Sequence, residues 1–353
     1  MNDTDSSVFR YSIAFITILG VSYGLILLMA IIGNLIVITT VLWHPCMKTV
    51  INILICNLSV ADLLCAIFVL PMNFLQSITK EWLYGEILCR STPYLQGVSV
   101  CTSIMTLTVV AFDRYVAICH PLHRILNISK ATSIISMIWI LSAILLLPWA
   151  LYYRTEMDNN HTKIVCVQAW PDNADERDYF IFVIFIMCYI IPLFLISCFY
   201  FAIASRIYKR ANANSNETQS KRIPLIKLSS GGISRTKSIR IVKMLAIVVV
   251  TFAVSWLPLY IVFIFLYYSD KNKWSPQFLN VLFDYLIPIF QLISASNSCI
   301  NPWIYCLYSQ TYRDGFRNVI ICKKATLNDR TKTSLSISDK TRRITTNRVV
   351  TTV

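Results

Sequence analysis

One carboxylate interrupts an otherwise uncharged stretch: between Thr49 and Thr79 the only Asp, Glu, Lys or Arg is Asp62. In lipid such a group costs roughly 2.5–3.5 kcal/mol on insertion scales, so it needs partners and marks a functional position. Ser103, Asn297, Ser298, Asn301 and Asn34 lie in other uncharged stretches and could turn oxygen or amide groups towards it. Asp113 and Arg114 stand side by side, ahead of Tyr115, where the uncharged run Ser91–Phe112 ends. Such a pair is suited to a membrane–water interface. Catalysis is not in view. No nucleophile, base and acid fall into a recognisable set, and no ligand cluster has metal-site spacing. The chain is expected to bind and to change shape, and not to be an enzyme.

The elements that position these residues must be membrane helices. The chain has 353 residues, of which 56% are hydrophobic and 14% charged. A soluble domain carries about 25% charged residues. Tyr11–Trp43, Ser91–Phe112, Ala131–Tyr153, Tyr179–Ser205, Met244–Ser269 and Tyr285–Tyr312 hold no charged residue, and Thr49–Thr79 holds only Asp62. A bilayer core about 30 Å thick needs roughly 20 apolar residues in helical form. Lipid offers the backbone no outside partner, so each of the seven segments must be a helix.

Charge sets the orientation. With the N-terminus outside, 24 of the 32 Lys and Arg residues face the cytoplasm. The net charge of +14 then describes a cytoplasmic face near anionic lipid, and not a nucleic-acid site. Met1–Arg10 is mildly acidic, unlike a cleavable signal peptide, so the first helix is expected to act as its own insertion signal. Asn2 and Asn160 begin glycosylation sequons on the outer side. Of the twelve cysteines, only Cys89 and Cys166 fall in the oxidising compartment. One disulfide between them is expected, with two free thiols as the alternative. The chain divides into an outer tail (1–10), a seven-helix domain (11–312) and a cytoplasmic segment (313–353). Pro71, Pro148, Pro192, Pro258 and Pro302 punctuate the helices. They either kink a bundle that opens a cavity or are simply tolerated in lipid.

The motifs then form a series. Gly33-Asn34 lies in the first helix and Asn57-Leu58-Ser59-Val60-Ala61-Asp62 in the second. Asp113-Arg114-Tyr115 ends the third, and Trp139 sits in the fourth. Pro192 and Tyr200 mark the fifth, Phe252 and Trp256-Leu257-Pro258 the sixth, and Asn301-Pro302-Trp303-Ile304-Tyr305 the seventh. In this order the chain resembles the rhodopsin-like (class A) G-protein-coupled receptors over residues 11 to 324. The resemblance implies an all-α seven-helix membrane bundle that binds an extracellular ligand and activates a heterotrimeric G protein. It implies that Asp62, Ser103, Asn297, Ser298 and Asn301 hold an allosteric sodium ion at rest; a protonated Asp62 in a hydrated network is the alternative. It makes Asp113, Arg114, Tyr115, Tyr200, Phe252, Trp256, Pro258, Asn301, Pro302 and Tyr305 the activation and coupling residues, with Ile104, Pro192 and Phe252 as a connector below Trp256. Some relatives place an acid at the base of the sixth helix. The matching stretch here, Thr236-Lys237-Ser238-Ile239-Arg240, has none, so a resting lock rests on Asp113 alone.

The ligand is narrowed by what is missing. Amine receptors of this family carry an Asp where Gln96 stands, and opsins a Lys where Ala295 stands. Gln96 and Gln291 would face each other across a neutral, amide-lined pocket, with Asn73, Tyr260 and Trp256 adding contacts. The rim is acidic: Glu156, Asp158, Asp172, Asp175, Glu176, Asp178, Asp270 and Asp284. Such a mouth over a neutral cavity suits a basic, amidated peptide. Gln96 and Trp82-Leu83-Tyr84-Gly85 resemble receptors of the neuropeptide FF, orexin and neuropeptide Y type. A lipid or other small-molecule receptor is the alternative within the family. A transporter or channel using Asp62 is the alternative outside it.

Beyond Tyr305, the residues Tyr312, Phe316, Val319 and Ile320 repeat at helical spacing among basic residues. This predicts a short amphipathic eighth helix on the inner leaflet. Cys322 at its end is a palmitoylation candidate or a free thiol. Thr331, Thr333, Ser334, Ser336 and Ser338 are candidate kinase targets that would recruit arrestin. The terminus Thr351-Thr352-Val353 resembles a ligand for a PDZ protein.

Overall fold

Seven helices are long and apolar enough to cross a membrane: α1 (Ile13–Trp43), α2 (Val50–Ile78), α3 (Gly85–Cys119), α4 (Ile128–Tyr152), α5 (Asp175–Lys209), α6 (Ile239–Tyr268) and α7 (Gln277–Tyr308). An eighth, α8 (Gln310–Ile320), follows. They belong to a computed structural model that describes residues 9–43, 47–121, 125–158, 162–220, 230–269 and 274–320. The side that carries Cys89 and Cys166 is called outer, following the charge-based orientation.

The first helix is apolar on two faces. On α1 the exposed Ile18, Leu25 and Ile32 repeat every seven residues, and so do the buried Tyr23, Ala30 and Val37. Seven residues are about two helical turns, so each set forms one stripe. The first stripe suits lipid and the second packs inward. α3 runs through the middle, against α2, α4, α5 and α6, while α7 closes the ring between α6 and α1. Close approach depends on small residues. A Cβ on Gly97 of α3 would stand 2.6 Å from Leu146 and 2.8 Å from Trp149 of α4. A Cβ on Gly33 of α1 would stand 2.9 Å from Pro302 of α7.

Wide π-helical turns interrupt three of the helices, at Cys65–Val69, Phe180–Ile190 and Leu282–Leu286. Each ends two residues before a proline: Pro71, Pro192 and Pro288. Proline lacks an N–H and its ring collides with the carbonyl four residues back. In each wide turn, the N–H just ahead of the proline donates five residues back: Leu70 to Cys65, Ile191 to Ile186 and Ile287 to Leu282. Pro148, Pro258 and Pro302 lie within α-helical winding.

The second outer loop is not irregular throughout. Tyr153–Met157 (β1) and Ile164–Gln168 (β2) form an antiparallel hairpin in which Thr155 faces Cys166. Cys166 is bonded to Cys89 at the head of α3, with Cα atoms 5.7 Å apart. Asp175, Glu176 and Asp178 lie in the first turns of α5. Acids at that end meet the positive end of the helix dipole.

One of the residues read as the lipid face of α8, Tyr312, turns inward. Tyr312 is 3% exposed, packs its ring 5.6 Å from Tyr305 and donates to Asn52 Oδ1 at 3.2 Å. It closes the base of the bundle instead of meeting lipid. Burial pushes its phenol upward in pKa, so it stays a neutral donor. Arg313 donates to the carbonyls of Cys306 and Leu307, at 3.3 and 2.8 Å, and so caps α7.

Candidate functional site

A cavity of about 550 Å³ opens at the outer end between α2, α3, α4, α5, α6 and α7. Asn73, Gln96, Trp256, Tyr260 and Gln291 all line it. Asn73 Nδ2 donates to Gln96 Oε1 at 3.3 Å, which orients the amide of α3 from α2. The walls are apolar and aromatic, with Trp149, Phe180 and Phe263 among them. Glu176 is the one charged side chain among the described lining residues. It accepts from Tyr267 Oη at 2.8 Å, so α6 holds the carboxylate of α5 in place.

The other rim acids are placed differently. Glu156 pairs with Arg154 at 2.6 Å, Asp178 with Arg177 at 2.9 Å and Asp284 with Arg10 at 3.4 Å. Asp175 is exposed on the first turn of α5, and Asp270 lies outside the described residues. Exposed pairs of this kind contribute little stability, and they offset the charge of three of the eight rim acids. An acidic mouth was legible; that Glu156, Asp178 and Asp284 each pair with an arginine was not.

The mouth is held by the loop motif noted above. Trp82 donates its backbone N–H to the Ile164 carbonyl at 2.7 Å and its ring N–H to the Gly85 carbonyl at 2.7 Å. Gly85 has φ +78°, a left-handed conformation that favours glycine. Trp82 packs with Met72, Cys89, Tyr153 and Cys166. Trp82-Leu83-Tyr84-Gly85 therefore ties the first outer loop to the hairpin, and Trp82 also lines the cavity. Tyr153 accepts from Gln168 Nε2 at 2.8 Å, and burial raises its phenol pKa.

Below the cavity an aromatic column continues inward. Trp256 lies 6.1 Å from Tyr260 and 6.4 Å from Phe252, ring to ring. The Tyr189 ring lies 4.6 Å from that of Tyr260, tilted by 42°, and its hydroxyl donates to the Ala253 carbonyl at 2.7 Å. Ile104, Phe252 and Pro192 are buried at this level. The indole N–H of Trp256 has no acceptor among the described residues.

Asp62 occupies the middle of the bundle, 2% exposed, and accepts from Asn301 Nδ2 at 2.9 Å. Asn34 Nδ2 donates to the Ser298 carbonyl at 2.9 Å. Thus α1 and α2 both bond to α7 within one turn of it. Ser103, Asn297 and Ser298 are buried as well. The oxygens Asn34 Oδ1, Ser59 Oγ, Asn297 Oδ1 and Asn301 Oδ1 are buried with no partner among the described residues. Buried polar atoms without partners are costly. A donor set of a carboxylate, amide oxygens and hydroxyls fits a hard cation. Beside it, Asn57 bridges Thr106 and the Trp139 indole, each at 2.9 Å, joining α2, α3 and α4.

A second cavity, about 470 Å³, opens at the inner end. Asp113 and Arg114 line it with His120, Ile241, Met244, Ser309 and Tyr312. Arg114 holds Asp113 Oδ2 through two nitrogens, at 2.5 and 3.1 Å. Tyr115 shares a hydrogen bond with His120 at 3.2 Å and packs on Phe199. Tyr200 has a buried hydroxyl without a partner among the described residues, and Tyr305 is 1% exposed. Pro258 and Pro302 lie inside α6 and α7. The side chains of Thr236, Lys237 and Ser238 lie outside the described residues, as do Asn2, Asn160, Cys322 and the Ser/Thr-rich tail to Val353.

The model of the 7 transmembrane receptor (rhodopsin family) matches residues 33–305. Neuropeptide FF receptor 2 of Rattus norvegicus is 32% identical over 315 residues, covering 86% of this chain and 72% of that receptor. The QRFP-like peptide receptor of Branchiostoma floridae is 29% identical over 322 residues, covering 87% and 78%. The neuromedin-K receptor of Oryctolagus cuniculus is 31% identical over 303 residues, covering 86% and 61%.

Proposed function

The chain belongs to the rhodopsin family of seven-transmembrane receptors, and on that premise we propose that it is a plasma-membrane receptor for an extracellular peptide. Its N-terminus is outside, and its inner face activates a heterotrimeric G protein. The observation that carries the peptide reading is the outer cavity, where the amides of Asn73, Gln96 and Gln291 stand over aromatic walls beside a single carboxylate, Glu176. A cavity of this size matches a drug-sized ligand, so it takes one end of a peptide. Amides suit an amidated terminus, and Glu176 suits a guanidinium or ammonium group. The relatives named above are receptors for peptides, which supports the same ligand class.

The mechanism is a population shift and involves no covalent chemistry. A ligand moves the equilibrium only by binding one state better than the other. Contact with Trp256 and Tyr260 reaches Phe252 through the ring column, and Tyr189 ties α5 to α6 at the same level. A shift there is transmitted along α6 to Ile241 and Met244, which border Arg114. Arg114 then leaves Asp113 for the G protein. A bound sodium ion would be held by Asp62, Ser103, Asn297, Ser298 and Asn301 and would supply a positive charge that favours the resting packing. Receptor kinases, arrestin and a PDZ protein would meet the tail, and α8 the lipid surface.

The test is G-protein dissociation in cells expressing the chain, across a panel of Gα types, against a library of amidated peptides. A saturable response lost in Arg114→Ala, with surface expression kept, supports the reading. Silence to every peptide despite good expression moves it to a lipid ligand. For the ion, agonist affinity falls with added sodium chloride in the wild type and stays flat in Asp62→Asn. A sodium response that survives this substitution removes Asp62 from the site.

A further inference from the structure

Cys101 of α3 and Cys188 of α5 bring their sulfurs to 3.4 Å. They are 1% and 5% exposed, and both line the outer cavity. Neither has a part in the reading above. Two sulfurs at this separation are in contact. A disulfide has its sulfurs about 2.05 Å apart, so closure asks for a further approach on the order of 1.4 Å. The cavity that reaches them opens on the same side as Cys89–Cys166, which is bonded. Cys119 faces the Ala202 carbonyl and Cys299 that of Ser296.

We propose that Cys101 and Cys188 form a modification site, an oxidisable dithiol in the wall of the cavity that a small extracellular disulfide closes. The thiolate of one cysteine attacks a sulfur of the small disulfide, forming a mixed disulfide and releasing one small thiolate. The second cysteine, as thiolate, then attacks the protein sulfur of that mixed bond. The protein disulfide forms, the second small thiolate leaves, and each released thiolate takes up one of the two protons lost. The two cysteines are oxidised and one small disulfide is reduced to two thiols.

The bond would act on a particular part of α5. Cys188 lies in the π-wound stretch Phe180–Ile190, and its neighbour Tyr189 bonds to the Ala253 carbonyl of α6. Closure pins that stretch to α3 as well. It joins α3, α5 and α6 at one level, just where Trp256 and Tyr260 meet the cavity. The site is a redox-dependent constraint on the bundle and does not require the ligand to be a peptide.

The experiment uses the full chain in phosphatidylcholine nanodiscs, treated with 4,4′-dithiodipyridine and mapped by mass spectrometry without reduction. The expected result is a peptide pair linked through Cys101 and Cys188, with a melting midpoint raised on the order of 5 °C. Cys101→Ser and Cys188→Ser each abolish the rise and leave the remaining cysteine as a single pyridyl adduct. Two separate adducts, two free thiols, or a link from either residue to a different cysteine in folded wild-type protein overturn the proposal. The wild-type mapping stands whether or not either variant folds.

Discussion

The two ends of this bundle enclose cavities of similar size, about 550 and 470 Å³, built on opposite plans. The outer one is fixed from several directions. A disulfide, a hairpin, the Trp82 bonds and the Tyr267–Glu176 bond all converge on its mouth. The inner one is lined by an ion pair between adjacent residues, Asp113 and Arg114, and by a tyrosine hydroxyl on α8. A contact between neighbours in sequence holds no two helices together. It can be exchanged for a partner's contact without taking the bundle apart. One end is shaped to select and the other to change, and the aromatic column and the Asp62 layer lie between them.

Substitutions can break or sharpen that contrast. The largest effect is expected at the outer clamp. Cys89→Ser removes a bond that closes 77 residues of separation and costs about 2–5 kcal/mol. Radioligand binding and surface expression should both fall; normal binding would show that the mouth does not depend on its staple. Next comes Arg114→Ala. Agonist-driven G-protein activation should drop on the order of 10- to 100-fold, as for the loss of charge-assisted hydrogen bonds. Peptide binding without G protein should stay within about threefold. An equal loss of both would erase the division between the ends. Gly97→Ala inserts a methyl against Leu146 and Trp149, at about 1–3 kcal/mol, read as a lower melting midpoint. Unchanged melting would mean that α4 yields freely. The smallest effect is Glu176→Gln, which should weaken a basic peptide about tenfold and its neutral analogue hardly at all. Equal potency for both would take Glu176 out of ligand recognition.

The membrane architecture was plain in the sequence because lipid demands long uncharged runs, and all seven appear as helices. Which face of each helix looks inward was not plain. Ile18 and Ala30 are both apolar, and only packing tells a lipid-facing stripe from a core stripe. The residues assigned to the ligand cavity were found by motif position, and the structure brings all five to one cavity. Glu176 was visible only as one acid among many, since nothing local marks the one that α6 holds over the cavity. No strand signal marks the hairpin, because Tyr153–Gln168 mixes charge with short apolar runs and shows no clear alternation. Helical spacing places Tyr312 on a lipid-facing stripe and cannot register that Asn52 waits on α2. The neighbouring sulfurs of Cys101 and Cys188 are 87 residues apart in sequence, and no local pattern joins them.

The wide turns ahead of Pro71, Pro192 and Pro288 also set the phase of everything beyond them. Each extra residue taken up by such a turn rotates the following side chains by roughly 100° relative to an unbroken helix. A helical wheel drawn through α5 from Phe180 to Ser205 would therefore assign cavity-facing and lipid-facing positions correctly on one side of Pro192 and wrongly on the other. Any scanning mutagenesis or cross-linking map of this receptor has to be indexed separately above and below each of those prolines.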